Sequence, residues 1–478
     1  MKKLFIICAI LFILSCNNQT NINTETAAVN NSGTIETETT KETKINPPDI
    51  AAVDYGGKQI KFLVPKTDAL NILFSEIGSE ELNAEIVNDS VFNRNLKLED
   101  KYNIRIESLE GGWDIIKRTV MADDKAIDAA TPGVVTAFSS GIDGNLAKIQ
   151  DLPYINYEKP WWRTNSITDL SINNINYFIS GDMNILSYES TGVIFFDKTL
   201  INNYKLDDPY DLVLDFKWTF NKMIEMGTQV SADVNGDGVY GEEDLYGVAM
   251  NSYGSLTFTY GADVKFAPKN KDDIPYLDIN ERFITIFQNL IEACKNNVSV
   301  MYTEKFTVNN GRVRVPQTAF EDGRLLFYNE MLNRTGLFRS IDTDFGILPM
   351  PKYEEYQENY NVFVHQSNST NICVLITSDY DQMGRVLEDM AYYSYLYVRP
   401  SYIDISLKTK YTRDERSVEM IDIIIDNTRY DIALVSNNPL LGDLRDMLSK
   451  FNENVASAFA SKMDAYNIAL QKTIDNYK

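Results

Sequence analysis

From Lys58 onward the chain alternates between two hydrophobic periods. Lys58 to Val64 reads as a short strand that Pro65 ends. Across Val91, Asn95, Leu98 and Tyr102 the spacing changes to that of a helix, and Ile104 to Glu107 returns to a strand. Asp114 to Met121 predicts a helix with Ile115, Ile116, Val120 and Met121 on one side, and Ala126 to Thr131 predicts another strand. Strand alternating with crossover helix implies an α/β fold, a parallel sheet with helices on both faces. Later segments repeat the pattern. Val193 to Phe196 is an unbroken apolar run, hence a fully buried strand. Glu281 to Lys295 is an amphipathic helix with Phe283, Phe287, Leu290, Ile291 and Cys294 on one face. Gln382 to Tyr397 predicts a further helix, and Leu440 to Tyr477 one or two more. No repeat of 20–50 residues is visible, which argues against solenoids and propellers.

The N-terminus follows different rules. Lys2 and Lys3 precede an apolar run from Leu4 to Leu14 that is too short for a span of about 20 residues. It ends in Ile13-Leu14-Ser15-Cys16, which resembles a bacterial lipobox and implies cleavage before Cys16 and lipidation of its thiol. An ordinary secretory signal with an accidental cysteine is the alternative. The Asn-, Thr- and Glu-rich stretch after it buries too little apolar surface to order itself and reads as a tether, closed by Pro47-Pro48. Cys294 and Cys373 lie far apart in apolar segments and are expected as buried free thiols.

Composition narrows the partners. In 478 residues, 45 Lys and Arg face 68 Asp and Glu, a formal charge of −23. Nucleic acid and anionic bilayers attract basic proteins, so neither is expected as a partner of the folded body. A single histidine, His365, removes two-histidine metal and catalytic motifs. No GxSxG elbow, P-loop or dinucleotide fingerprint is present.

One loop has calcium-type spacing. Asp233, Asn235, Asp237 and Asp244 stand at loop positions 1, 3, 5 and 12, Gly238 occupies the sharp turn, and Val239 would offer its backbone carbonyl. Gly241 leaves position 9 to a water. A single such loop suits a structural Ca²⁺ ion and not a sensor; a solvated acidic turn is the alternative. Aromatic side chains near strand ends, with Asp, Asn and Glu among them, suit carbohydrate, since ring faces stack on sugar C–H faces while oxygens bind hydroxyl pairs.

The order of several segments then resembles a known family: the lipobox and tether, Lys58–Pro65, Asp151-Leu152-Pro153-Tyr154 with Lys159-Pro160-Trp161-Trp162, Gly181-Asp182, Phe195-Phe196-Asp197-Lys198, Lys217-Trp218-Thr219, the Asn-Gly-Asp-Gly loop, and Asp344 to Lys352. Together they look like extracellular solute-binding protein family 1, lipid-anchored sugar-binding components of bacterial ABC importers. The resemblance implies a type II periplasmic-binding-protein-like fold: two α/β lobes joined by a hinge of three crossings, with ligand in the cleft. It implies a signal peptide over 1–15, a tether over 16–54, one lobe from 55–180 with 363–400, and a second from 181–362 with 401–478. Open α/β sheets bind ligands at the carboxyl ends of their strands. Mapped loop by loop, that suggests Lys66 and Thr67, Thr136 and Phe138, Trp162 near the hinge, Asp182, Tyr188 and Glu189 at the first crossing, Asn251 and Tyr253, Tyr328 and Glu330, and His365 at the second crossing. The protein would be an extracytoplasmic monomer, held to the membrane only through lipidated Cys16, that binds a sugar or oligosaccharide and delivers it unchanged to a permease. A lipid-anchored glycoside hydrolase or lyase, needing two carboxylates about 5–9.5 Å apart, and a structural or adhesive surface lipoprotein are the rivals.

Overall fold

Two large sheets organise the chain, beside a two-stranded parallel pair of Val362–Phe363 with Thr428–Arg429. The computed structural model describes residues 45–66, 75–306, 315–338, 341–411, 415–436 and 438–477. Cys16, the signal segment, nearly all of the tether and Thr67 lie outside the described residues. The chain divides into residues 1–46 and a body of 47–478, and both sheets belong to that body.

The first sheet has four strands in the order β10-β3-β1-β2. β1 (Lys58–Val64) and β2 (Ile104–Glu110) pair in parallel from Lys58 opposite Ile104 to Val64 opposite Glu110. The helix Ile86–Tyr102 connects them, as a parallel pair requires. Its buried stripe is Val87, Val91, Arg94, Asn95, Leu98 and Tyr102, so an arginine lies among apolar positions. β3 (Ala129–Ala130) keeps only two residues of the longer strand predicted, and β10 (Cys373–Val374) pairs against it. The helix Asp114–Ala122 forms where expected but buries Ile116 and Thr119, leaving Met121 76% exposed. The expected apolar side is therefore rotated, because the helix packs along the line of Ile116 and Thr119.

The second sheet runs β6-β5-β7-β4-β8. It comprises β4 (Gly192–Asp197), β5 (Tyr246–Met250), β6 (Val300–Tyr302), β7 (Leu325–Met331) and β8 (Phe345–Leu348). β5 is parallel to β6 and β7, whereas β4 runs antiparallel to both β7 and β8. Neither sheet is purely parallel, which departs from the alternation rule. The reversed strands, β10 and β4, are those that enter directly from a connecting segment; without a crossover helix, nothing holds them to the parallel direction. All six β4 residues are buried, as the continuous apolar run required.

Helices complete the layers. Asn280 caps the helix Glu281–Asn296 by accepting from Phe283 N at 2.9 Å, and the predicted stripe is buried. Trp218 lies fully buried beside the start of Phe220–Val230 and donates Nε1 to the Pro349 carbonyl at 3.0 Å. Leu440–Ser449 and Val455–Asn476 form the C-terminal pair. Cys294 and Cys373 are buried and unbridged. Among the described residues no helix is long and apolar enough to cross a membrane.

Candidate functional site

The chain passes between the two sheets through three connections. The stretches leading into β4 and out of β9 (Val362–Phe363) run antiparallel side by side, bridged at Thr191–Val364 and Ile179–Ile372, and His365 N donates to Ser190 O at 2.8 Å. The third connection follows the helix Tyr380–Tyr393 as wide-turned π-helix over Ser394–Val398 and Ser401–Tyr411. This is where the sequence predicted one α-helix to Tyr397. π-Helical turns are rare and frequently mark functional segments.

A buried polar network ties the first connection to the third. Asp182 is 4% exposed, accepts from the Tyr188 hydroxyl, and faces the Arg399 guanidinium at 3.8 Å. Tyr188 stacks on Tyr402 at 6.1 Å, and Arg163 lies 3.6 Å over the Tyr188 ring while donating Nη1 to Ser187 Oγ at 3.1 Å. Burial pushes the Asp182 carboxyl up to about 6, with Arg399 pulling the other way. Glu189 rises to about 7 through loss of water, offset in part by the Tyr402 hydroxyl and reinforced by nearby Glu76. Glu76 is buried, accepts from Leu186 N at 3.1 Å, and also rises to about 7 by desolvation. Glu76 and Glu189 are thus close to half protonated near neutrality, and Asp182 takes up its proton about one pH unit lower.

A more open cluster lies beside the second connection. The rings of Tyr253 and His365 are 4.9 Å apart, and the Arg445 guanidinium stands 5.4 Å over Tyr253. Tyr253 is placed by a tight turn in which Asn251 Oδ1 accepts from the Tyr253 and Gly254 amides at 3.0 and 2.6 Å. Burial lowers the His365 pKa, so its ring is neutral at pH 7; the Glu330 charge opposes that fall and Arg445 adds to it. His365 Nδ1 and both amide atoms of buried Gln366 have no hydrogen-bond partner on another described residue. Such atoms are costly unless a water or a guest satisfies them. Gly133 passes so close to this segment that a Cβ would lie 2.0 Å from Ser367 O, which excludes any larger residue there.

The candidate residues fall into distinct groups. Asp182, Tyr188 and Glu189 share the buried network, while Asn251, Tyr253, Glu330 and His365 share the open cluster. Tyr328 is buried, with its ring among Phe320 and Phe338 and its hydroxyl 3.3 Å from Glu330 Oε2. Lys66 is exposed just beyond β1. Thr136 is half-buried in the helix Val134–Ile142, and Phe138 is fully buried against Phe178 and Tyr477. Trp162 is buried near the first connection; its Nε1 and that of Trp161 both donate to Glu388, at 2.8 and 3.1 Å. Sequence pattern did not mark Arg163, Arg399, Arg445, Glu76 or Gln366. A polar residue in a connecting segment, or on the exposed side of a helix as Arg445 is, adds nothing to an apolar period.

In the acidic loop the side chains turn inward. Asp233 accepts from the amides of Gly236 and Gly238 at 2.7 and 2.8 Å, Asn235 from Asp237 N at 2.9 Å, and Asp237 from Val239 N at 2.8 Å. Asp244 closes the loop through Val234 N and Gly241 N at 2.9 and 2.7 Å. Gly238 has φ +81°, the left-handed turn for which glycine was expected. Among the described residues no three His, Cys, Asp or Glu side chains converge on a common metal position.

No protein-family model and no curated protein matches the sequence. Solved structures match in fold. An ABC substrate-binding protein from Listeria monocytogenes in complex with cycloalternan aligns at TM-score 0.53 and 12% identity, over 88% of this chain and 98% of that one. The sugar-binding protein MalE from Xanthomonas citri aligns at 0.57 and 11%, over 87% and 98%. A family 1 extracellular solute-binding protein from Bifidobacterium longum subsp. infantis aligns at 0.52 and 14%, over 86% and 100%. At such identities the likeness establishes architecture: the chain has the two-lobed α/β periplasmic-binding-protein-like fold with a cleft between its lobes.

Proposed function

We propose that this chain is an extracytoplasmic solute-binding lipoprotein of the family 1 type. It captures a sugar or oligosaccharide in the interlobe cleft and passes it, chemically unchanged, to an ABC permease. The lobes are 55–180 with 363–400 and 181–362 with 401–478, and Cys16 carries the lipid that anchors a monomeric body through its tether. The observation that carries this reading is the Tyr253–His365 pair beside the second connection, an aromatic pair whose imidazole Nδ1 has no partner on another described residue. Stacking on one face with hydrogen bonding at the edge is how a sugar ring is held. The Xanthomonas citri sugar-binding protein and the cycloalternan-bound ABC substrate-binding protein share the fold. Asp182, Tyr188 and Glu189 sit where closure would reshape the hinge, and contacts made only in the closed form would bias it.

Isothermal titration of the mature chain against mono- and oligosaccharides should give saturable heat for at least one. Tyr253→Ala should weaken that ligand about tenfold, the scale of one aromatic contact. Silence across the panel would overturn the reading.

The acidic loop belongs to the same proposal as a structural Ca²⁺ site formed by Asp233, Asn235, Asp237, the Val239 carbonyl and Asp244. Calcium added after chelation should raise the melting temperature by a few degrees through preferential binding to the folded state. Asp233→Asn should remove the shift, and an unaltered melting curve in the native sequence would refute the site.

A further inference from the structure

The positive charge at the open cluster bears on what kind of sugar enters. Arg445 is exposed on the helix Leu440–Ser449 and lies over the Tyr253 ring. Its own helix offers two acids, and both are engaged elsewhere: Asp443 binds Lys462 and the Tyr466 hydroxyl, and Asp446 binds Lys450 at 2.5 Å. Glu330, the carboxylate that faces His365, pairs with Arg334 at 3.4 Å. No described carboxylate forms an ion pair with Arg445, although acids outnumber bases by 68 to 45 in the chain. His365 beside it is neutral, and its buried Nδ1 has no partner on another described residue. The cluster thus joins an aromatic pair, a neutral imidazole and one uncompensated guanidinium, whose planar fork matches a carboxylate or sulfate.

We infer that the cleft selects an acidic saccharide, a sugar bearing a carboxylate or sulfate that pairs with Arg445 beside the Tyr253–His365 pair. The inference rests on the carbohydrate reading above. An acidic protein gains from this arrangement, because a single local cation distinguishes an anionic ligand from neutral sugars while the surrounding negative field rejects anions elsewhere.

Titration of the full mature chain with maltotriose, a neutral probe, and trigalacturonate, an acidic one, tests it. The native chain should bind trigalacturonate at least tenfold more tightly, and the preference should shrink with added salt. Arg445→Gln should abolish the preference, whereas Arg445→Lys should retain part of it. Equal affinity for the two probes, or an equal loss for both in Arg445→Gln, overturns the inference and leaves carbohydrate binding standing. Absence of binding to either probe and to the wider sugar panel overturns both.

Discussion

Replacing Arg94 with methionine is expected to lower folding stability by about 3–5 kcal/mol, the cost of breaking a buried charged network from one side. Arg94 is completely buried. It donates to the carbonyls of Glu76 and Ile77 at 3.0 and 2.7 Å, to Ser394 Oγ at 3.2 Å and to Asn95 Oδ1 at 2.8 Å. One side chain thus joins the helix Ile86–Tyr102 to residues 76–77 and to the start of the π-helical connection. Methionine fills much of the volume but leaves several acceptors desolvated and unpaired. Desolvation lowers the Arg94 pKa to about 9, with the Glu76 charge opposing it, so the guanidinium stays charged at pH 7. Urea unfolding should show the midpoint fall with little change in slope. A loss below about 1 kcal/mol would mean that the network relaxes around the gap.

Stability is also expected to rise as pH falls from 8 to about 5.5, the reverse of the usual acid response. Glu76 and Glu189 in the folded chain sit at about 7, and Asp182 and Asp431 at about 6, all raised above their ordinary values by burial. Between the unfolded and folded pKa values the folded state binds more protons, so acidification favours it and alkalinity through the folded pKa removes that advantage. For Glu76, moved from 4.5 to about 7, the effect amounts to a few kcal/mol, since each tenfold change in proton affinity is about 1.4 kcal/mol. Asp54, Asp244 and Asp381 have lowered pKa values, so their contribution reverses the trend only below about pH 4. Easing of the −23 charge acts in the same direction as the buried carboxyls. Glu76→Gln separates the two: its melting temperature should exceed the native one at pH 8, with the gap closing by pH 5.5. Parallel pH profiles for the two proteins would refute the assignment to Glu76.

Much of the framework was legible because it rests on local periodicity. The stripe along Glu281–Asn296 needs only its own residues to show which face is buried, and so does the apolar run at β4. Arg94 was legible in principle, since it falls on the stripe with Val87, Val91 and Leu98. The two-residue strands β3, β9 and β10 could not be delimited from sequence, because pairing with remote partners, not propensity, creates them. The same limit explains Met121, whose exposure depends on which line of its helix the sheet covers.

Residue order alone settled the α/β class, the buried stripe of Glu281–Asn296 and the left-handed turn at Gly238, because each depends on local pattern along the chain. Assembly in space was required to reverse β4 and β10, to unwind the third connection into π-helix, and to set Arg445 over Tyr253 and Arg399 beside Asp182. Those groups are roughly 190 to 220 residues apart in the chain, and a contact of that span leaves no periodic trace in the sequence that makes it.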